Sequence, residues 1–154
     1  MPPDSIRPTL AAVRLVLALA LLALPAQAWE FTPFPVCTLT HETPEAALRI
    51  TNDPSLPEPY AIALTRPQPW PEAPSFAIRY DGRRPFTITT NRHTLSDDGR
   101  SLTVTDRGFG NLLDGLEFNE TATALTDGLA VLFPLTGAAE PVRAFRACGE
   151  APTV

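Results

Sequence analysis

Lysine is absent: all twelve basic side chains of this 154-residue chain are arginine. That excludes the phosphate-loop lysine, Schiff-base catalysis and serine–lysine hydrolysis, each of which needs a primary amine. Histidine stops at His41 and His93, and cysteine at Cys37 and Cys148. A structural zinc site wants four nitrogen or sulfur ligands and a catalytic one three with supporting partners, so a dedicated metal site has few donors to draw on. Residues 41–45, His-Glu-Thr-Pro-Glu, are not HExxH, because Glu45 stands in fifth place and Pro44 would break the helix that motif requires. No Gly-x-Ser-x-Gly elbow occurs around any serine. Positive charge is short as well, with a net charge of -5 and a pI near 4.9. Such a chain repels a phosphate backbone, which argues against nucleic acid as a partner.

Long apolar runs are scarce, and the one present carries an address. Residues 15–24 are apolar without interruption, Arg7 and Arg14 precede them, and Ala26-Gln27-Ala28 follows as a small-x-small site. This is the pattern of a secretory signal peptide over residues 1–28, cleaved between Ala28 and Trp29. Ten helical residues reach only about 15 Å, half of a hydrocarbon core of about 30 Å, so the run is too short for an anchor. No cysteine sits at the cleavage point and no arginine pair precedes the run, which sets aside a lipoprotein and twin-arginine export. The expectation is a periplasmic or secreted protein with no transmembrane segment once the leader is gone. Residues 29–154 then form a single exported β-rich domain.

Export decides the state of the cysteines. Oxidising compartments form and preserve disulfides, and Cys37 and Cys148 allow one intramolecular pairing. In the chain-entropy view a bridge across so long a segment stabilises by about 4 to 5 kcal/mol, and it sets the two ends of the domain side by side.

What remains is β-type. Residues 36–40, 47–51, 60–65, 75–80, 86–90, 101–105, 120–125 and 129–133 alternate or run apolar, with bulky residues at every second place and threonine throughout. Threonine suits pleated surfaces and disfavours helices. Four Asp-Gly pairs, beginning at Asp81, Asp98, Asp114 and Asp127, offer the positive φ of tight turns, and Asp127-Gly128 lies between two runs as a hairpin should. About eight strands with such turns predict a mainly β fold, an antiparallel β-sandwich or small barrel. Residues 140–149 predict a short C-terminal helix, with Pro141 in the first turn, Gly149 as the stop, and Val142, Phe145 and Cys148 on one face aimed at the Cys37 strand. Residues 110–116 suggest a single helical turn.

Three places invite a functional reading. Trp70 sits in a segment with Pro67, Pro69, Pro71 and Pro74, either as a stiffly held binding aromatic or folded back over the end of the sheet. Arg107-Gly108-Phe109-Gly110 puts an aromatic between glycines, as a core plug or an exposed binding tip, with Arg107 beside it. His93 with Asp97 could be a base and its orienter, with His41 as a further donor, though a histidine before an acidic turn also describes an ordinary hairpin.

Trp29 at the mature start, Cys37 soon after, threonine-rich strands and a closing helix ending Phe145-Arg146-Ala147-Cys148 resemble small secreted proteins of alphaproteobacteria, including the invasion-associated locus B type. Some proteins of this layout bear the name of an excinuclease subunit, which would imply a large cytoplasmic DNA-repair helicase. This sequence departs from that in having no GxxxxGK(S/T), no lysine, an export signal and net negative charge. The leading expectation is a non-enzymatic exported interaction or binding module without a cofactor, using Trp70, Arg107 or Phe109 toward a periplasmic protein or small ligand. The alternative is a small periplasmic hydrolase or metal-dependent enzyme using His93, Asp97 and His41.

Overall fold

The computed structural model describes residues 28–148; the leader before Ala28 and the helix stop at Gly149 lie outside them. The elements in chain order are β1 (Glu30–Thr32), β2 (Cys37–Glu42), β3 (Ala47–Asn52), β4 (Tyr60–Thr65), β5 (Phe76–Gly82) and β6 (Phe86–Thr90). There follow β7 (Thr94–Leu95), β8 (Ser101–Asp106), α1 (Gly110–Phe118), β9 (Asn119–Thr126), β10 (Leu129–Pro134) and α2 (Ala139–Cys148). They build a six-stranded sheet in the order β1-β2-β3-β4-β8-β7 and a four-stranded sheet in the order β10-β9-β5-β6. Every strand pairing is antiparallel. All eight runs read from the sequence are strands, and two separate sheets make the fold a sandwich rather than a barrel.

Period-two burial holds the layers together. Leu39, Leu48, Ile50, Ile62, Leu64 and Leu102 line the inner face of the larger sheet, opposed by Ile78, Tyr80, Ala122, Ala124, Val131 and Phe133 of the smaller one. Each such aliphatic or aromatic side chain contributes about 1.5–3 kcal/mol by leaving water. On the side where β1 and β10 end the sheets, Trp29 closes the gap. Its ring stacks on His41 with centroids 4.5 Å apart, and its Nε1 donates to the Pro134 carbonyl at 3.1 Å.

Toward the opposite side the wedge between the sheets is filled by α1. Leu116 shares the interior with Leu48 and Ile62 of one sheet and Tyr80 and Ala122 of the other. The Tyr80 hydroxyl donates to the Leu112 carbonyl at 3.1 Å, and burial pushes its pKa up. The helix runs to Phe118, longer than the single turn expected, because Leu112, Leu113 and Leu116 keep helical spacing onto this surface. Here the reading of Asp114-Gly115 as a turn is corrected: both residues are inside α1. Gly115 is required by close approach, since a Cβ there would fall 2.3 Å from the Tyr80 ring.

The other three Asp-Gly pairs do bend the chain. Asp127 (φ 39°) and Gly128 (φ 79°) turn β9 into β10, and Gly99 (φ 71°) lies in the turn between β7 and β8. Asp81-Gly82 ends β5 at a bulge in its pairing with β9. The sheet edges β1 and β7, three and two residues long, are too short for alternation to show in the sequence.

The C-terminal helix packs as expected. Val142 and Phe145 are buried, and Cys148 is disulfide-bonded to Cys37, with Cα atoms 6.2 Å apart. Charges fasten α2 to α1: Arg146 pairs with Asp114 and approaches Glu117 at 3.2 Å, and Arg143 reaches Glu117 at 3.5 Å. Among the described residues no helix is long and apolar enough to cross a membrane.

Candidate functional site

The sandwich is not closed along the side where β6 and β8 face each other. β6 ends the smaller sheet. In the larger sheet β7 pairs only with Leu102 and Thr103, so among the described residues β8 from Val104 onward has no strand beyond it. The gap is a cleft of about 460 Å³ walled by Ile62, Phe76, Ile78, Ile88, Val104, Phe109 and Leu112. Thr90, Asp106, Gly108, Gly110 and Asn111 rim it. Ile88 and Val104 are half-buried in its walls.

Each wall is set by its element. Ile62, Ile78 and Ile88 sit at inward places of β4, β5 and β6, and the strand register keeps them level: Ile78 pairs with Ile88, and Ile62 with Val104. Phe109 precedes α1 and packs on Tyr60 with centroids 5.5 Å apart, while Tyr60 in turn meets Phe145 of α2 at 6.3 Å. The back wall therefore leans on the helix that carries Cys148. Across the mouth, Arg92 after β6 pairs with Glu58 and lies 3.7 Å from Asp106 of β8. Thr105 donates its hydroxyl to Glu58. That bond, more than the Arg92 charge, holds the Glu58 carboxyl below its ordinary pKa. The two sheets are thus laced at the rim by charge while the interior stays apolar. A shallower hollow of about 380 Å³ lies between the β2–β3 turn and β10.

The residues singled out in the sequence are distributed unevenly around this geometry. Phe109 is a core plug, 6 % exposed, and also a wall of the cleft. Arg107 is exposed next to the rim residues Asp106 and Gly108, and its backbone N–H donates to Asp106 at 2.6 Å. Trp70 as a binding aromatic is corrected: it is 3 % exposed and folded back over the end of the larger sheet. Its Nε1 donates to the Leu64 carbonyl at 2.9 Å, and the Arg66 guanidinium covers the ring at 5.1 Å. The proline-rich segment sets it there by denying the chain a regular ladder.

Of the residues the enzymatic alternative draws on, the fold sets His41 apart from His93 and Asp97. His41 is buried in β2 against Trp29, whereas His93 precedes β7, four places away in the same sheet. At strand spacing that is about 19 Å. His93 lies against Phe76 at 6.2 Å, and Asp97 is exposed in the β7–β8 turn. Its neighbour Asp98 is occupied with that turn, accepting from the Ser96 hydroxyl at 2.7 Å and the Arg100 N–H at 3.0 Å, which lowers its pKa. Among the described residues no group of three or more His, Cys, Asp and Glu could hold a metal ion. The cleft offers apolar surface with a polar rim that includes Thr90 and Asp106.

The cleft itself escaped sequence reading. Its walls come from separate strands whose isoleucines and valine look like any core, and an opening is a missing strand rather than a motif. The available signal was Gly108-Phe109-Gly110, a stretch free of bulky neighbours beside one aromatic. Comparison of the chain with protein-family models, curated proteins and solved structures returned no match.

Proposed function

We propose that this is an exported, non-enzymatic binding module whose recognition site is the cleft between β6 and β8. One observation carries the reading: a sandwich well packed elsewhere is left open along one side, with half-buried Ile88 and Val104 lining about 460 Å³. That volume falls within the range of small-ligand sites, about 300–1,000 Å³, and apolar walls with a few polar rim groups are the usual composition. The leader pattern and the Cys37–Cys148 bridge support a periplasmic or extracellular setting.

The test is to fill the cleft. Val104→Trp places an indole in the opening, and Leu132→Trp puts the same group on the exposed outer face of β10 as a control. An anilinonaphthalene sulfonate dye is expected to bind the purified exported protein saturably, to lose at least about tenfold in affinity with Val104→Trp, and to be unaffected by Leu132→Trp. Equal binding by all three proteins, at matched Tm, contradicts the proposal.

A further inference from the structure

Resting on that reading of the cleft, we infer that its occupant is an extended peptide that adds to β6 as a fifth strand of the smaller sheet, with an apolar side chain in the cleft and acidic residues at its C-terminal end.

Three observations converge. First, β6 is an outer strand, and among the described residues one edge of its backbone presents N–H and C=O groups to no neighbouring strand. It lines the cleft through Ile88, Thr89 and Thr90, whereas the part of β8 that β7 leaves unpaired, Val104–Asp106, is three residues long and ends in a carboxylate. The β1 and β7 edges are three- and two-residue strands, and the end of β10 is covered where Trp29 donates to Pro134. β6 contains neither proline nor charge, the two devices that usually blunt such an edge.

Second, the geometry of addition delivers side chains where space exists. Residues of an added strand alternate between faces, so every second one points to the inner side, over the gap between β6 and β8. Ile88 and Thr90, at alternate places of β6, are half-buried toward the gap, and the inward residues of an added strand fall beside them. Five residues of β6 give a pairing length of about 17 Å.

Third, charge selects the partner. In a chain of net charge -5, the turn leading into β6 carries Arg83 and Arg84, both exposed. Neither has a carboxylate within ion-pair distance among the described residues; Arg84 lies over the Phe118 ring at 4.4 Å. At the other end of the strand Arg92 is already balanced by Glu58 and Asp106. The uncompensated positive charge therefore sits at the N-terminal end of β6. The antiparallel pairing used throughout this sheet brings the C-terminal end of an added strand to it.

The probes are synthetic seven-residue peptides with Val, Ile, Leu or Phe at alternate positions, carrying two aspartates at the C-terminal end, two at the N-terminal end, or two lysines at the C-terminal end. Calorimetric titration into the purified exported protein is expected to give micromolar binding for the first set, weakened at least about tenfold in the other two. The double variant Arg83→Glu with Arg84→Glu is expected to reverse the preference toward lysine, and Val104→Trp to abolish binding. Backbone N-methylation of the best peptide should abolish binding at alternate residues only, the pattern of one hydrogen-bonded edge. Binding insensitive to N-methylation, or no preference between acidic and basic ends, overturns the inference. If no peptide binds while the anilinonaphthalene dye still enters a cleft that Val104→Trp closes, strand addition is wrong and the cleft takes a small apolar ligand. If neither enters, the reading of the cleft falls as well.

Discussion

At position 115 one methyl group decides whether a helix fits. A Cβ there would lie 2.3 Å from the Tyr80 ring, in a place where both the helix backbone and a fully buried tyrosine are fixed. Helix propensity alone would make Gly115→Ala stabilising by about 1 kcal/mol. Overpacking outweighs it, and the expected outcome is a net loss of about 1–3 kcal/mol in denaturant unfolding, partly recovered when Tyr80→Leu is added. His41 gives a prediction in pH. Burial lowers its pKa from the ordinary 6.5, against an opposing contribution from the Glu42 charge. The unfolded chain therefore takes up a proton that the folded chain resists. Stability present above pH 6.5 is lost as pH falls below it. A pH series of thermal unfolding should show this decline in the native protein and a flatter curve in His41→Phe, which keeps a ring on Trp29. Neither role could be read from the sequence, where Gly115 followed an aspartate like a turn and His41 was one of two scarce imidazoles. Both depend on a partner distant along the chain.

Strands and helices were legible to the extent that their physics is local. Alternation with threonine marked all eight longer strands, and Val142, Phe145 and Cys148 at intervals of three marked the buried face of α2. The helix α1 was seen only in part, since nothing near residue 110 announces the sheet on which its leucines pack. Turns divide in the same way: a positive φ is local, so Asp127-Gly128 was readable as a hairpin. Gly128 meets nothing within 4 Å, so Gly128→Ala isolates backbone strain from packing. It should cost about 1–2 kcal/mol through the left-handed backbone alone, with an m-value unchanged in urea unfolding. A neutral result would mean that the turn relaxes to another type.

For the molecule as a whole, the longest-range contact was the most legible, because a chain with only two cysteines leaves each one partner. Cys37 and Cys148 are 111 positions apart and bonded. The double change to serine should lower stability by about 4 kcal/mol, less where the unfolded chain keeps structure of its own, and intact mass should show the native bridge as two missing hydrogens. The same bridge ties α2 in place, and through Phe145 and Tyr60 it supports Phe109 at the back of the cleft. The candidate site was the least legible part, since it is defined by a strand that is not there: β7 stops after two residues and β8 continues past it. The most direct measurement is a methyl-resolved NMR titration of the purified protein with the acidic-ended peptides and with the dye. Ile62, Ile78, Ile88 and Val104 should shift together and saturably while Leu125 and Leu132 on the outer face stay still. Shifts confined to the outer face, or cleft methyls unmoved at saturation, would contradict it.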